Sequence, residues 1–292
     1  MVSFVRLLIL LPVVLTIHFQ GIPVSPSPTP MPPPTIRLSD NVVEHIRIIH
    51  LVGRGLGNRD DVFSKVGDSI TVSFNFMVPF GVGDYQLGAH SYLEPLIEAF
   101  NVTNAREGNS FLNRSLAAGV GWTAFGALDP ERADPERCNP GEMPLLCEYR
   151  LTRPAYAIIM FGTNDSGFAD LSAFEYNLER IVSHSIRSGV IPILSTIPNR
   201  PLITERVERF NAAIRRVADA EVIPLIEYAA ALADLPNEGL SEDLVHPSQP
   251  PRDEATTGNL RTPYLQYGYN MRNLTALEML YAVRFYLTSS DD

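Results

Sequence analysis

Short, mainly apolar runs alternate with longer amphipathic segments along most of the chain. Apolar runs of this kind are typical of strands buried on both faces of a parallel sheet, and they are Asp61–Val66, Ala155–Phe161, Val190–Thr196 and Val222–Ile226. The other segments repeat apolar residues at helical spacing, and they are Ser39–Leu51, Tyr92–Phe100, Glu175–Ser188, Glu205–Glu221, Ala229–Leu235 and Arg272–Leu287. This alternation predicts an α/β fold, a three-layer α/β/α, doubly wound sheet whose strands are mainly parallel.

Three other stretches are predicted to lie outside regular structure. Gly53–Gly57 precedes a strand instead of joining a strand to a helix, as a phosphate-binding loop does, so we interpret it as a flexible connection. Phe74–Tyr85 combines aromatic residues with glycines and is predicted either to wall a cleft or to plug the core beneath a turn. The polar, proline-containing stretch Leu128–Glu148 is predicted to be a loop that forms another wall of a cleft.

The amino end has the character of a targeting segment. Arg6 precedes the apolar run Leu7–Ile17, which is shorter than the roughly 20 residues that span a membrane. The proline-rich stretch that follows is an extended spacer. We therefore predict a signal peptide or anchor over residues 1–22, a linker over 23–36 and a single domain over 37–292. The protein is expected to be secreted or anchored at the cell surface, with any membrane tether confined to this amino-terminal segment.

The net charge and the two cysteines limit which partners and metal ions the protein is expected to bind. The formal net charge of -10 argues against nucleic acid as a partner, because phosphate binding requires a basic face. In an exported protein, Cys138 and Cys147 are expected to form a disulfide that closes a short loop, with two reduced buried cysteines as the alternative. No further cysteine or nearby histidine completes a set of four metal ligands, so neither a metal nor another cofactor is predicted.

A serine and a histidine stand where hydrolytic chemistry could use them. Ser69 follows Gly67 and Asp68 at the end of the first predicted strand, the edge at which open α/β sheets bind ligands. Asp243 precedes His246 by three residues and can therefore reach Nδ1 of the histidine ring, which leaves Nε2 free to act as a base. Each pattern alone is also typical of an ordinary turn or loop.

Four such short motifs in one order resemble the GDSL-type, or SGNH, hydrolase family, which has a flavodoxin-like fold. They are Gly67-Asp68-Ser69, Gly121-Trp122-Thr123, Gly162-Thr163-Asn164-Asp165 and Asp243-Leu244-Val245-His246. The resemblance implies that Ser69 is the nucleophile, His246 the base and Asp243 the residue that orients it. It also implies an oxyanion hole made by the N–H groups of Ser69 and Gly121 and by the side-chain amide of Asn164. The family usually has an asparagine where this chain has Leu116, so Gly119 remains a rival for Gly121.

The resemblance and the residues together predict a secreted serine esterase. We expect its substrate to be a small-molecule or polysaccharide ester with a short acyl group such as acetyl. One alternative is a lipase- or thioesterase-like acylhydrolase of longer chains. Another is a non-catalytic carbohydrate- or wall-binding module on the same fold, which a serine-reactive phosphonate would distinguish because only an active serine reacts. A metal-dependent phosphoesterase ranks third, because the six histidines are scattered.

Overall fold

The computed structural model of the chain describes residues 32–288. At its centre lies a parallel sheet of four strands in the order β1-β2-β3-β4. The strands are β1 (Arg59–Gly67), β2 (Pro154–Met160), β3 (Ile191–Ser195) and β4 (Leu225–Ile226). Every residue of β2 and β3 is buried, which agrees with their continuous apolar sequence. The predicted leader and most of the proline-rich linker lie outside the described residues, so both remain predictions.

Helices flank this sheet as the alternating pattern predicts. The α-helices are α1 (Asp40–Leu56), α2 (Ser69–Val72), α3 (Val78–Val82), α4 (Glu94–Val102), α5 (Pro144–Thr152), α6 (Asp165–Phe168), α7 (Leu171–Arg187), α8 (Thr204–Ala220), α9 (Tyr228–Leu232) and α10 (Gly268–Thr288). Short 3₁₀ helices cover Gly88–Leu93, Ala124–Leu128, Pro130–Arg132, Pro201–Ile203, Pro236–Gly239 and Thr262–Tyr264. Helices α7 and α8 pack on each other and on β3, whereas α1 packs on α10 and contacts β2 and β3. The α/β class with flanking helices is thus confirmed.

The chain passes along both sides of β1 before it reaches β2. After β1 the chain returns along its outer edge, where Ala118 forms an isolated parallel bridge with Gly67. It then crosses to β2 on the other side of β1. The position where neighbouring connections leave a sheet in opposite directions is where doubly wound folds bind ligands. The end of β1, and with it Ser69, lies at this point.

Aromatic packing holds β1 in the core. Phe63 on β1 lies edge-on to Phe100 and Phe111, with ring centroids 5.0 and 5.2 Å away. Phe100 in turn packs edge-on against Tyr156 of β2, at 5.9 Å. Edge-to-face pairs of this kind stabilise a fold by about 0.5–1.5 kcal/mol each beyond the area they bury. The strand that ends at Ser69 is therefore firmly anchored.

Three local predictions were wrong, each for a physical reason. Gly53 is not in a flexible connection but inside α1, where a Cβ would lie 2.2 Å from the carbonyl oxygen of Gly189. Strand β4 is shorter than predicted because the Ile223 N–H donates to Ala218 and so completes the end of α8. The polar stretch 128–148 is not all loop: it contains a 3₁₀ turn and the first residues of α5, which begins at Pro144.

A disulfide joins Cys138 to Cys147, as predicted. It ties the loop before α5 to the buried face of that helix, since Cys147 is fully buried. Within residues 32–288, no helix has both the length and the hydrophobicity needed to cross a bilayer.

Candidate active site

A sharp turn from β1 into α2 presents Ser69. The turn needs a glycine at position 67, because a Cβ there would lie 2.2 Å from Thr71 Oγ1 and 2.6 Å from the carbonyl oxygen of Met160. Asp68 caps α2: its Oδ1 accepts a hydrogen bond from the N–H of Ile70 at 3.0 Å. Ser69 is half-buried, whereas the residues on either side of it are buried.

Arg272, which the sequence analysis did not single out, supports this turn from α10. Its guanidinium is buried and donates hydrogen bonds to the carbonyl oxygen of Ile70 and to Thr71 Oγ1, the latter at 2.9 Å. The guanidinium also lies over the ring of Phe76, 3.7 Å from its centroid. The same burial lowers the pKa of Arg272. The arginine thus fixes the short helix that begins with Ser69.

His246 lies beside Ser69 on the loop that follows the last strand. Its Nε2 is 3.0 Å from Ser69 Oγ, and its Nδ1 is 2.6 Å from Asp243 Oδ2. Because the carboxylate accepts the proton of Nδ1, Nε2 carries a lone pair that can accept the serine hydroxyl proton. The structure therefore brings Ser69, His246 and Asp243 into one hydrogen-bonded chain.

The loop around Asp243 is organised by that carboxylate. Its Oδ1 accepts hydrogen bonds from the N–H groups of Val245 and His246, both at 2.9 Å, and from the Ser241 hydroxyl at 2.8 Å. Desolvation acts to raise the pKa of Asp243, but these bonds and the one from the His246 ring outweigh it and hold the pKa well below its usual range. Asp243 is therefore ionised at neutral pH and stabilises a positive charge on the imidazole.

The position of Gly119 bears on the choice between the two oxyanion candidates. The Gly119 N–H donates to the carbonyl oxygen of Gly67 at 3.1 Å, as part of the bridge to β1. By contrast, the Gly121 N–H has no hydrogen-bond acceptor within residues 32–288. Gly121 has φ +74°, a left-handed conformation that favours glycine, whereas a Cβ on Gly119 would strike the ring of Trp122. Gly121 is thus the better candidate for a free donor.

Asn164 lies at the end of β2, next to the same loop. Its Nδ2 donates to the carbonyl oxygen of Trp122 at 2.9 Å, which leaves the second amide hydrogen for another acceptor. Asp165 joins the segment after β2 to the segment that contains Gly121. Its carboxylate accepts hydrogen bonds from the N–H of Ala124 at 3.0 Å and of Gly162 at 3.1 Å. Asn164 is therefore held near Gly121 by two independent links.

Two buried carboxyl groups lie beneath the site. Burial raises the pKa of Asp68 to about 6, against the hydrogen bond from Ile70 and the nearby charges of Arg272 and His246. Burial likewise raises the pKa of Asp165 to about 6, and the charge of Asp68 adds to that effect. Both groups change charge close to neutral pH, which the sequence analysis did not anticipate because it depends on tertiary packing.

One cavity borders α2 and a second adjoins it, and neither wall includes Ser69 or His246. One, of about 480 Å³, is lined by Lys65, Thr71, Val72, Ser73, Phe74, Val78, Leu112, Asn113, Arg114, Ser115 and Ala118. The other, of about 350 Å³, lies towards the His246 loop, with Gln249 and Pro250 in its wall. Phe74 and Val78 line both, whereas Phe76 and Phe80 are fully buried, so the stretch 74–85 both walls a cleft and fills the core, as its two interpretations predicted. It also contains α3, although no regular structure was predicted there. The 128–148 stretch lines neither cavity.

Within residues 32–288, one group of side chains has the spacing of metal ligands: Cys138, Glu142 and Cys147. Because the two sulfurs are bonded to each other, they cannot act as the thiolates that bind metal ions. The serine, histidine and aspartate chain lies elsewhere and forms without these residues.

Comparison with known proteins adds a family to this geometry. A profile of the GDSL-like lipase/acylhydrolase family matches residues 66–250. A search of curated proteins finds no match. Among solved structures, a lipase/acylhydrolase from Enterococcus faecalis is 21% identical, with a TM-score of 0.48 over 74% of this chain and 92% of that one.

Two further structures have a similar extent of likeness. The esterase EstA from Pseudoalteromonas sp. is 15% identical, with a TM-score of 0.47 over 78% of this chain and 100% of that one. An acetyl xylan esterase from Geobacillus stearothermophilus is 16% identical, with a TM-score of 0.46 over 75% of this chain and 93% of that one. At identities this low, a shared structure does not specify a shared substrate.

Proposed function

Because the chain belongs to the GDSL-like lipase/acylhydrolase family, we propose that it is a serine ester hydrolase with Ser69 as nucleophile. His246 is the general base and Asp243 orients it. The observation that carries this proposal is the continuous chain of hydrogen bonds from Ser69 Oγ through His246 to Asp243, at 3.0 and 2.6 Å. Hydrolysis of an ester by an activated serine uses these three roles in this order.

The reaction follows from the geometry. Ser69 Oγ attacks the ester carbonyl carbon while Nε2 of His246 takes the hydroxyl proton. The tetrahedral intermediate then collapses: the bond to the alcohol oxygen breaks, and His246 returns the proton to that oxygen. Water, deprotonated by His246, releases the acid from the acyl-serine by the same steps. Ionised Asp243 stabilises the imidazolium in both halves.

The negative charge that develops on the carbonyl oxygen needs donors. In this proposal they are the N–H groups of Ser69 and Gly121 and the second amide hydrogen of Asn164. The Ser69 N–H belongs to the first residue of α2, where a helix leaves its N–H groups without internal partners. The vacant Gly121 N–H and the tether of Asn164 to Trp122 support the other two assignments.

We further propose that the substrate is a short acyl ester, acetyl above longer chains, of a carbohydrate or similar polar alcohol outside the cell. The basic and then apolar amino end, the proline-rich spacer and the disulfide support an exported or surface-anchored enzyme. Phe74 lies among polar side chains in the walls of both cavities near α2, an arrangement that suits a sugar. Because Phe74 and Val78 could also line an acyl pocket, hydrolysis of longer chains is the alternative.

One experiment tests both parts. Hydrolysis of 4-nitrophenyl esters from acetate to palmitate is measured for the wild type, for Ser69→Ala and for Ser172→Ala. Ser69→Ala should lower kcat by about 10⁴- to 10⁶-fold without loss of stability, whereas Ser172→Ala removes an exposed hydroxyl from α7 and should remain active. Near wild-type turnover by Ser69→Ala would contradict the nucleophile. A maximum of kcat/KM at eight carbons or more would contradict the short-chain preference.

The oxyanion donor is tested in the same assay. Asn164→Ala should lower kcat by about 10²- to 10³-fold with little change in KM, as the loss of one such donor does. If Asn164 only joins two loops, the variant would instead lose thermal stability and keep its kcat.

A further inference from the structure

The larger cavity beside Ser69 has cationic walls in a protein that is acidic overall. Lys65 on β1 and Arg114 in the segment before the Ala118 bridge both line it. Within residues 32–288, neither side chain forms an ion pair with a carboxylate. The protein as a whole has a formal charge of -10. A cavity with two cations and no acidic residue in its wall therefore stands apart from the rest of the surface.

Lys65 is an unusual residue for this position. It is only 7% exposed, and its Nζ donates to the carbonyl oxygen of Phe111 at 2.6 Å. An ammonium group has three hydrogens, so this bond leaves two of them for other acceptors. Burying a cation is costly unless it is paired. An anion in the cavity would supply a hydrogen-bonded partner of opposite charge.

The charge of buried Glu148 acts on Lys65, but the hydrogen bonds of its carboxylate go to other groups. Glu148 accepts hydrogen bonds from the Ser64 hydroxyl at 2.9 Å, from Asn113 Nδ2 at 3.1 Å and from the Leu116 N–H at 3.0 Å. Burial, partly offset by the charge of Glu148, lowers the pKa of Lys65 to about 8. The ammonium form therefore still predominates at neutral pH, and its charge is available to a ligand.

Arg114 is placed to complete the site at the cavity mouth. It is exposed, and its guanidinium lies 5.9 Å from the ring centroid of Phe74, another residue of the cavity wall. A guanidinium held on an aromatic face keeps its N–H groups free to bind a carboxylate with two parallel hydrogen bonds. The cavity thus has a buried cation at one side and a planar cation at its entrance.

The cavity is also close to the nucleophile. Val72, in its wall, lies at the far end of α2 from Ser69, and three helical residues span about 4.5 Å. On the other side, Ala118 forms the bridge with Gly67, two residues before Ser69. A substrate whose ester carbonyl is at Ser69 can therefore extend into this space.

We propose that this cavity binds a carboxylate of the ester substrate, held between Lys65 and Arg114. The inference rests on the proposed ester hydrolysis and narrows it to substrates that carry a negative charge. An acetyl group needs little of the 480 Å³, so the charged group belongs to the alcohol, as in an acetylated acidic sugar.

The test compares charged and neutral substrates on each side of the ester. The alcohol side is tested with acetylated methyl glucuronoside against acetylated methyl glucoside. The acyl side is tested with the 4-nitrophenyl half-ester of succinate against 4-nitrophenyl butyrate. The wild type should prefer the glucuronoside by about tenfold in kcat/KM, as one well-placed charge pair allows. A preference for the charged substrate on the acyl side alone would support a carboxylate site in the cavity. It would contradict the assignment of the charged group to the alcohol. No preference on either side would overturn it.

Variants of Lys65 and Arg114 test whether these two side chains cause the preference for a charged substrate. Arg114→Gln and Lys65→Met should each reduce the charged-to-neutral ratio of kcat/KM by about tenfold. Arg180→Gln is the matched control, because Arg180 also lies over an aromatic ring, 5.7 Å from that of Tyr176 on α7, and it should leave the ratio unchanged. If Lys65→Met does not fold, Arg114→Gln still tests the proposal, because Arg114 is exposed. An unchanged ratio in Arg114→Gln would contradict the proposal.

A binding measurement separates this inference from the proposed activity. Calorimetric titration of the wild type with sodium glucuronate should show binding that glucose does not, and Arg114→Gln should weaken it about tenfold. If the enzyme hydrolyses none of the esters but still binds glucuronate, the proposed function fails and the carboxylate site stands. If it hydrolyses esters but binds glucuronate no better than glucose, the carboxylate site fails alone.

Discussion

Ser69 and His246 are held in place by opposite means. The turn that carries Ser69 is buried and depends on distant parts of the chain: β2 restricts Gly67, and Arg272 of α10 binds the backbone of α2. The loop that carries His246 is more exposed, and the hydrogen bonds to Asp243 all come from residues 241–246. Its link to a distant element lies beyond the histidine, where Ser248 is hydrogen-bonded to the start of α10. The side chains of His246 and Asp243 are 39% and 51% exposed.

Because of this difference, mutations in the two regions should affect stability and activity to different extents. A change at the buried residues that fix the serine turn, such as Gly67, disturbs the core and should therefore lower stability together with activity. A change in the histidine loop alters local hydrogen bonds near solvent, so it should affect the reaction far more than the fold. In the proposed reaction the nucleophile requires a fixed position, whereas the base must exchange protons, and exposure permits that exchange.

Asp243→Asn tests the histidine loop and should strongly reduce the rate of the reaction. An amide facing Nδ1 favours the tautomer with the proton on Nε2, which can no longer accept the serine proton. We expect kcat to fall by about 10⁴-fold, while the melting temperature changes by only about 2–4 °C. Glu242→Gln removes an equal charge from the neighbouring exposed residue and should leave kcat unchanged. A large loss of stability in Asp243→Asn would show that the loop is not locally organised.

Gly67→Ala tests the serine turn and should primarily affect stability. The new Cβ would meet Thr71 Oγ1 and the Met160 carbonyl at less than contact distance, so the sheet or α2 must shift. We expect a loss of about 3 kcal/mol in the free energy of unfolding, measured by chemical denaturation, together with loss of activity. The control is Gly55→Ala in α1, where the added Cβ meets nothing within 4 Å and should stabilise the helix by about 0.5–1 kcal/mol. Equal stability of the two variants would contradict a constrained turn.

The same contrast explains what the sequence could and could not predict. Asp243 and His246 are within one loop, so their spacing alone indicated that they meet. The apolar runs likewise predicted β1 to β3, because burial on both faces leaves a continuous pattern. Arg272 and Lys65 gave no such signal, since their roles depend on which distant backbone or cavity they face. The choice between Gly119 and Gly121 required the bridge to β1, a contact between segments about 50 residues apart.

Asp68→Asn tests the buried side of the comparison through its pH dependence. Burial raises the pKa of Asp68 from 3.8 in the unfolded chain to about 6. The unfolded state therefore loses this proton at a lower pH than the folded state. The contribution of Asp68 to stability is full below about pH 4 and is lost as pH rises through about 6. The shift corresponds to a loss of about 2–3 kcal/mol at pH 7 and above, at 1.36 kcal/mol for each pKa unit.

Asparagine keeps the acceptor for the Ile70 N–H and carries no charge at any pH. Asp68→Asn should therefore be about as stable as the wild type at pH 4.5 and more stable at pH 8, by about 2 kcal/mol in urea denaturation. Asp165→Asn is the matched control, because Asp165 is also buried with a pKa of about 6 but accepts hydrogen bonds from two backbone N–H groups, those of Ala124 and Gly162. Replacing one of its oxygens by an amide should cost stability at pH 4.5 as well as at pH 8. If Asp68→Asn retains the wild-type fall in stability between these pH values, the charge that titrates beneath Ser69 is not that of Asp68.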